Sequence, residues 1–197
     1  MRGGIITSNE KMRRSKRTYI MKSLCILAAA LLLSTAYAGQ TVSIKDAENV
    51  AVRYMTAFYS VEMEKVADLA HPQTLNAFHK IFNQEFEKAI QTGSEKEFLA
   101  KSGLNIDSSK LKSMSARDLF IYVVTSNNMR APEKHRELMK QTKITVLKSE
   151  MTNSESAKVL LRFINPGGSP SGHTGGLLLR IYKGQWKVVS ETAGYEK

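Results

Sequence analysis

The sequence predicts an α+β fold in which helices come first and a four-stranded antiparallel sheet comes last. Before about residue 140, apolar side chains recur at the spacing of one helix face. From Thr142 onwards the period changes to two, and turn-forming residues separate short β-rich runs. The N-terminal helices are therefore expected to pack on the C-terminal sheet.

Helix boundaries are marked by capping residues and by proline. Ser43, Ser94 and Ser115 each stand three residues before an acidic residue, and each is expected to cap the helix that follows. For the helix after Ser115 a strand is the alternative, because the segment is rich in β-branched residues. Pro72 ends one helix and starts the next. Residues 105–113 are polar and are predicted to form a loop. The predicted helices are 44–58, 62–70, 72–90, 94–103, one beginning at Ser115, and 132–139.

The last two strands form a predicted hairpin with Gly184 and Gln185 at the centre of its turn. In that register Lys183 pairs with Trp186. Because side chains alternate along a strand, one apolar set faces the core. That set consists of Val159, Leu161, Phe163, Leu177, Leu179, Ile181, Trp186 and Val188.

Residues 1–38 are predicted to be a secretory signal. Basic residues precede an apolar run at 24–33, and the small residues before Ala38 fit a signal peptidase site, so cleavage is predicted after Ala38. The alternative, a transmembrane anchor, needs roughly 20 apolar residues, about twice the length of this run. Translation from Met21 would give a more usual signal length. The mature chain, 39–197, is expected to be one periplasmic or secreted domain without a membrane span.

Charge and cysteine content narrow the function further. The chain has 29 Lys and Arg, 18 Asp and Glu, and a net charge of +11, but seven of the basic residues and one acidic residue precede residue 39. The predicted mature chain therefore has a net charge of +5, which together with export argues against a nucleic-acid partner. The only cysteine, Cys25, leaves with the signal. The histidines lack the spacing of metal ligands, and neither a metal site nor a cofactor is predicted.

Three stretches resemble the nuclear transport factor 2-like superfamily, which includes ketosteroid isomerase. They are the amphipathic first helix with its aromatic end, the Leu-Ala-His-Pro segment at 69–72, and Lys-Gly-Gln-Trp-Lys-Val-Val at 183–189. The resemblance covers most of residues 43–191. It implies a cone-shaped domain, in which a curved four-stranded sheet folds around the helices and leaves a pocket inside the cone. It also implies a binding or scaffolding module more often than an isomerase, dehydratase or cyclase.

The resemblance and the predicted faces together indicate three groups of candidate residues: catalytic, pocket and interface residues. Isomerases of this superfamily use a carboxylate base and a tyrosine or acid donor. The candidates for these roles in this chain are Tyr54, Asp68, Tyr122 and His135. Lys148 and Glu150 are expected on the core-facing side of the sheet, near the end of their strand. The predicted pocket for a small apolar ligand consists of Tyr54, Phe58, Leu161, Phe163, Leu179, Ile181 and Trp186. The predicted interface on the opposite face consists of Arg162, Arg180, Tyr182 and Lys187, since arginine and tyrosine among apolar neighbours are typical of contact surfaces.

The leading hypothesis is an exported, non-catalytic binding module. Either the cone holds a small apolar ligand or the opposite sheet face docks a protein, and a homodimer through that face is expected from the resemblance. The alternative is an isomerase- or hydrolase-like enzyme that uses helix-borne Tyr, Asp or His in the cone. For the basic face itself, the alternative is a solvated surface on which long basic stems cover apolar residues.

Overall fold

The structure is a computed structural model that describes residues 42–169 and 171–192. Over these ranges seven helices precede a curved antiparallel sheet of four strands, so the predicted α+β order is confirmed. The predicted signal and its cleavage point after Ala38 lie outside the described residues. The helices are α1 (Ile44–Tyr59), α2 (Met63–Leu69), α3 (Pro72–Gln91), α4 (Glu95–Lys101), α5 (Ser108–Ser113), α6 (Ala116–Met129) and α7 (Glu133–Lys140). The strands are β1 (Lys143–Asn153), β2 (Ser156–Ile164), β3 (His173–Tyr182) and β4 (Gln185–Thr192).

Two of the three predicted serine caps are confirmed. The Ser43 hydroxyl accepts the Asp46 backbone N–H at 3.2 Å, and the Asp46 carboxylate accepts the Ser43 N–H at 2.9 Å, which completes a capping box at the start of α1. The Ser115 hydroxyl likewise accepts the Asp118 N–H at 3.1 Å. The segment after Ser115 is therefore the helix α6 and not a strand.

Two predictions in the middle of the chain are wrong. Ser94 precedes α4, but its hydroxyl donates to the Ala89 carbonyl at 3.3 Å and makes no capping hydrogen bond. Residues 105–113 are not all loop, because α5 occupies 108–113. The Asp107 carboxylate caps α5 by accepting the Ser109 N–H at 2.7 Å, and Leu111 is fully buried beneath it. One cap and one apolar anchor are enough to order a polar segment.

The hairpin turn is centred one residue earlier than predicted. Lys183 and Gly184 have φ angles of 50° and 74°, which is the two-residue type I′ turn that matches strand twist. Trp186 therefore pairs with Ile181 rather than with Lys183. The partner changes by two positions, and because side chains alternate with a period of two, every residue of the hairpin near the turn keeps its predicted face.

Two β-bulges change the predicted faces further along the strands. In β1 the pairing shifts at Leu147, so that Lys148 and Glu150 lie on the outer face, opposite to the prediction, and Ser149 turns inward. In β4 the pairing shifts at Val189, which brings Glu191 opposite Leu177 on the inner face. The inner face is the one that packs against α1, and the outer face is the reverse side of the sheet.

The hydrophobic core has two parts. In the first, α1 packs across all four strands. The second part is built from the helices and the segment that joins α4 to α5, around Phe86, Leu111 and Leu119, all of which are almost completely buried. Phe78 of α3 packs against both parts and meets Phe120 edge-to-face with ring centroids 5.4 Å apart. The strand residues buried in the first part are Ala157, Val159, Leu161, Phe163, Leu177, Leu179, Trp186 and Val188.

We predict that Lys183→Val will be less stable than Lys183→Asn by about 1–2 kcal/mol. Both substitutions remove the ammonium group that lies 5.4 Å from the Tyr182 ring centroid, but only the β-branched valine is strained at positive φ. Urea unfolding of the two variants measures the difference. Equal stability would mean that Lys183 is extended and that the turn is centred on Gly184 and Gln185.

Candidate binding face of the sheet

Charge is distributed unequally between the two faces of the sheet. On the inner face, Glu191 is the only Lys, Arg, Asp or Glu at the paired positions that the structure describes. At its own paired positions within the described strands, the outer face has one acidic side chain, Glu150, which pairs with Lys148 at 3.1 Å. Its paired basic residues are Lys143, Lys148, Lys158, Arg162, Arg180 and Lys187. The outer face is therefore strongly positive.

Apolar side chains lie between the charged residues of the outer face. Leu160, Ile164, Leu178 and Tyr182 share the outer face, and each is half-buried. None of them belongs to either part of the hydrophobic core formed by the described residues. A surface with aliphatic and aromatic centres and arginine neighbours has the composition of a protein interface.

The two arginines of this face form no ion pair with the part of the chain that the structure describes. Arg162 and Arg180 are exposed, and neither has a carboxylate within 4.0 Å among the residues that the structure describes. Arg180 lies directly opposite Lys187, an arrangement that is unfavourable for like charges. The Lys187 ammonium donates to the Asp68 carbonyl oxygen at 2.5 Å, so a backbone oxygen partly compensates that one cation. The guanidinium groups remain available for bidentate carboxylate binding.

His71 forms one border of the face. Its backbone N–H donates to the Val188 carbonyl at 2.7 Å, which attaches the start of α3 to the free edge of β4. Its ring meets Tyr182 edge-to-face at 5.2 Å, and its Nδ1 accepts the Gln73 N–H at 3.1 Å as the cap of α3. Burial and then the charge of Arg180 hold the pKa of His71 below the usual 6.5. The imidazole is therefore neutral at pH 7, as an acceptor at Nδ1 requires.

We predict that acidification will destabilise the protein partly through His71. The folded-state pKa lies below the unfolded value of 6.5, so this contribution is fully present above about pH 6.5 and is lost as the pH falls through the folded-state pKa. His71→Asn keeps a capping oxygen but removes the titration. Urea unfolding at about pH 7.5 and at lower pH should show a smaller acid loss in the variant. An identical loss of stability in the variant and in the natural protein would show that His71 does not contribute to the effect of acid.

The four catalytic candidates lie on four different helices. Tyr54 of α1 is buried in the helix–sheet core, whereas Tyr122 of α6 packs against the helical part and donates its hydroxyl to the Asn105 carbonyl at 3.2 Å. Asp68 is exposed and accepts a hydrogen bond from Arg117 at 2.8 Å. His135 is exposed on α7. Each of the four residues therefore has different neighbours, and these contacts do not place the four side chains around one site.

The predicted pocket residues belong to the helix–sheet core. Phe58 and Ile181 are half-buried at its margin, and the other members, Tyr54, Leu161, Phe163, Leu179 and Trp186, are buried within it. A separate open groove of about 270 Å³ lies between the end of α3 and α4. Its charges pair along their own helices, as Lys88 with Glu85 and Lys101 with Glu97 do, so the groove presents little uncompensated charge.

Neither a metal site nor a membrane span is found among the residues that the structure describes. Within 42–169 and 171–192, no three His, Cys, Asp or Glu side chains are grouped so that they could hold a metal ion. Over those residues, no helix combines the length and apolar character needed to cross a bilayer.

Comparison with known protein families, with curated proteins and with solved structures found no match to this chain. The residues that define the candidate face therefore come from the geometry alone. The sequence identified Arg162, Arg180, Tyr182 and Lys187, and the structure places all four on the outer face. It missed His71, whose position directly before Pro72 is the signal of a helix cap that could have revealed it.

Proposed function

We propose that this protein is a non-catalytic binding module that docks an acidic protein segment on the outer face of its sheet. One observation carries the proposal: the exposed Arg162 and Arg180 flank half-buried apolar side chains and lack carboxylate partners among the described residues. Arginine binds carboxylates through two parallel hydrogen bonds, and apolar neighbours exclude water around them. A partner with Asp or Glu beside Leu or Phe would satisfy both features.

Charge favours an acidic partner over a second copy of the chain. In a symmetric homodimer through this face, the same basic surface would meet itself across the axis. Like charges brought together across an interface oppose association. The homodimer expected from the resemblance is therefore the competing outcome. Membership of the nuclear transport factor 2-like superfamily is also part of the proposal, and the order of helices followed by a sheet supports it.

Binding is also better supported than catalysis. The candidates Tyr54, Asp68, Tyr122 and His135 have separate surroundings, whereas the chemistry of an acid–base site requires groups within hydrogen-bond reach of one substrate. Export to the periplasm or beyond is part of the proposal, and N-terminal sequencing of the natural protein should begin at Gly39.

Site-specific photo-cross-linking in the source organism tests the docking face. A photoreactive phenylalanine replaces Leu178 at the centre of the face, and a matched variant carries it at Ile81 of α3, which is 61% exposed. We expect an adduct only from position 178, with the cross-link mapped by mass spectrometry to an Asp- or Glu-rich segment. An adduct of two copies of this chain, or no adduct, would overturn the proposal.

A further inference from the structure

The two edges of the sheet differ in how they are covered. At the edge of β4, the His71 N–H donates to the Val188 carbonyl at 2.7 Å. The Thr74 hydroxyl donates to the next carbonyl, that of Val189, at 2.6 Å. The opposite edge is β1, an 11-residue strand that pairs with β2 alone among the strands that the structure describes. Within the described ranges, no further backbone–backbone hydrogen bond involves the residues of β1. A long strand that is paired on one side only is a template for another strand.

The side chains of β1 around Ser149 are arranged symmetrically. Lys148 and Glu150 directly precede and follow Ser149, and Leu147 and Met151 stand one position further out on either side. Leu147 is 40% exposed and Met151 is 44% exposed, and neither belongs to the hydrophobic core formed by the described residues. Each half of this segment therefore offers one charge and one uncovered apolar side chain at the same distance from Ser149.

Antiparallel pairing of two copies of β1 about a two-fold axis through Ser149 would bring these halves together. Lys148 of each copy would lie opposite Glu150 of the other, and Leu147 of each copy opposite Met151. Opposite charges at directly facing positions stabilise an antiparallel pair, and like charges destabilise it. Moving the axis by one residue would set either Lys148 or Glu150 opposite its own copy. Charge therefore selects the register that is centred on Ser149.

We propose that this edge of the sheet binds a second copy of the chain, with β1 pairing antiparallel to β1 about Ser149. Backbone hydrogen bonds join the two strands, two pairs of Lys148 with Glu150 fix their register, and two contacts of Leu147 with Met151 remove apolar surface from water. The bulge at Leu147 and the charged side chains disfavour pairing with unrelated strands. The paired segment is short, so the association is expected to be weak and reversible.

Both outer faces stay free in this arrangement. A two-fold axis perpendicular to the sheet keeps the two outer faces on the same side of one continuous sheet. Arg162 and Arg180 lie on the two central strands and not on β1. The association therefore goes beyond the proposed docking of an acidic segment and does not depend on it.

Sedimentation equilibrium of the purified protein tests the pairing. The natural protein is expected to show a reversible monomer–dimer equilibrium at concentrations up to about 1 mM. Lys148→Glu and Glu150→Lys each place like charges at both facing pairs, so each variant alone should dimerise about tenfold more weakly or less. An equimolar mixture of the two variants sets a carboxylate against an ammonium group at both pairs. The mixture should therefore associate at least as strongly as the natural protein.

The matched controls make the same charge changes in another exposed ion pair. Lys88→Glu and Glu85→Lys alter the 2.6 Å pair of α3 and should leave the dimerisation constant unchanged, and thermal unfolding should show that all variants remain folded. The proposal would be overturned by the absence of a dimer up to about 1 mM, by undiminished dimerisation of either β1 variant alone, by a mixture that associates no better than its components, or by the same loss in the controls. Tighter dimerisation of Lys148→Glu would also overturn it, because that result indicates association through the basic outer faces.

Discussion

Replacing Trp186 with alanine is expected to lower the free energy of unfolding by about 3–5 kcal/mol. The indole is 2% exposed on the inner face of β4, where its removal leaves a cavity between the sheet and α1. Its Nε1–H also donates to the Ser43 carbonyl oxygen at 3.0 Å, and Ser43 caps α1. One side chain thus joins the last strand to the first helix. Chemical denaturation with tryptophan-independent detection, such as circular dichroism, measures the loss.

Trp186→Phe separates the two contributions. Phenylalanine retains part of the ring volume but cannot donate the hydrogen bond, so we expect a smaller loss that includes about 1 kcal/mol for the hydrogen bond from the indole to the Ser43 carbonyl. The total stability of a domain of this size is only about 5–15 kcal/mol, so the alanine variant should also give a sharply reduced yield of soluble protein. An unchanged unfolding midpoint in Trp186→Ala would place the indole on the outer face and invert the register of β4.

Features that depend on local chemistry could be predicted from the sequence. The serine caps of α1 and α6 follow from a hydroxyl three residues before an aspartate. The faces of Leu179, Trp186 and Val188 were predicted correctly although the turn was misplaced, because a change of two positions in pairing preserves alternation. The helices-first order follows from the change in apolar period.

Features that depend on the pairing of distant strands could not be predicted in the same way. The bulges at Leu147 and Val189 are marked by neither glycine nor proline, so nothing in the local sequence indicates them. Each one reverses the faces of the residues that follow. Glu191 consequently reaches the inner face, and Lys148 and Glu150 leave it. The first bulge adds an ion pair, Lys148 with Glu150, to the outer face, and the second places a carboxylate on the inner face.

Charge reversal by the double change Arg162→Glu and Arg180→Glu is expected to reduce cross-linking from position 178 at least tenfold. Removing one side of a desolvated charge pair costs about 2–5 kcal/mol, and a reversed charge also repels an acidic segment. Raising the salt concentration should weaken the natural interaction in the same direction, because salt screens charges at the rim of an interface. The measurement is the yield of the adduct at equal protein level.

The folded state should tolerate this double change. Both arginines are exposed, and Arg180→Glu would place an opposite charge across from Lys187 where a like charge now stands, so the unfolding midpoint should stay level or rise. The matched control, Arg53→Glu with Lys80→Glu, makes the same change in net charge at exposed positions of α1 and α3 and should leave the adduct intact. Equal losses in both variants would show that overall charge, and not this face, governs association. Binding lost without loss of stability would identify the two arginines as residues kept for recognition.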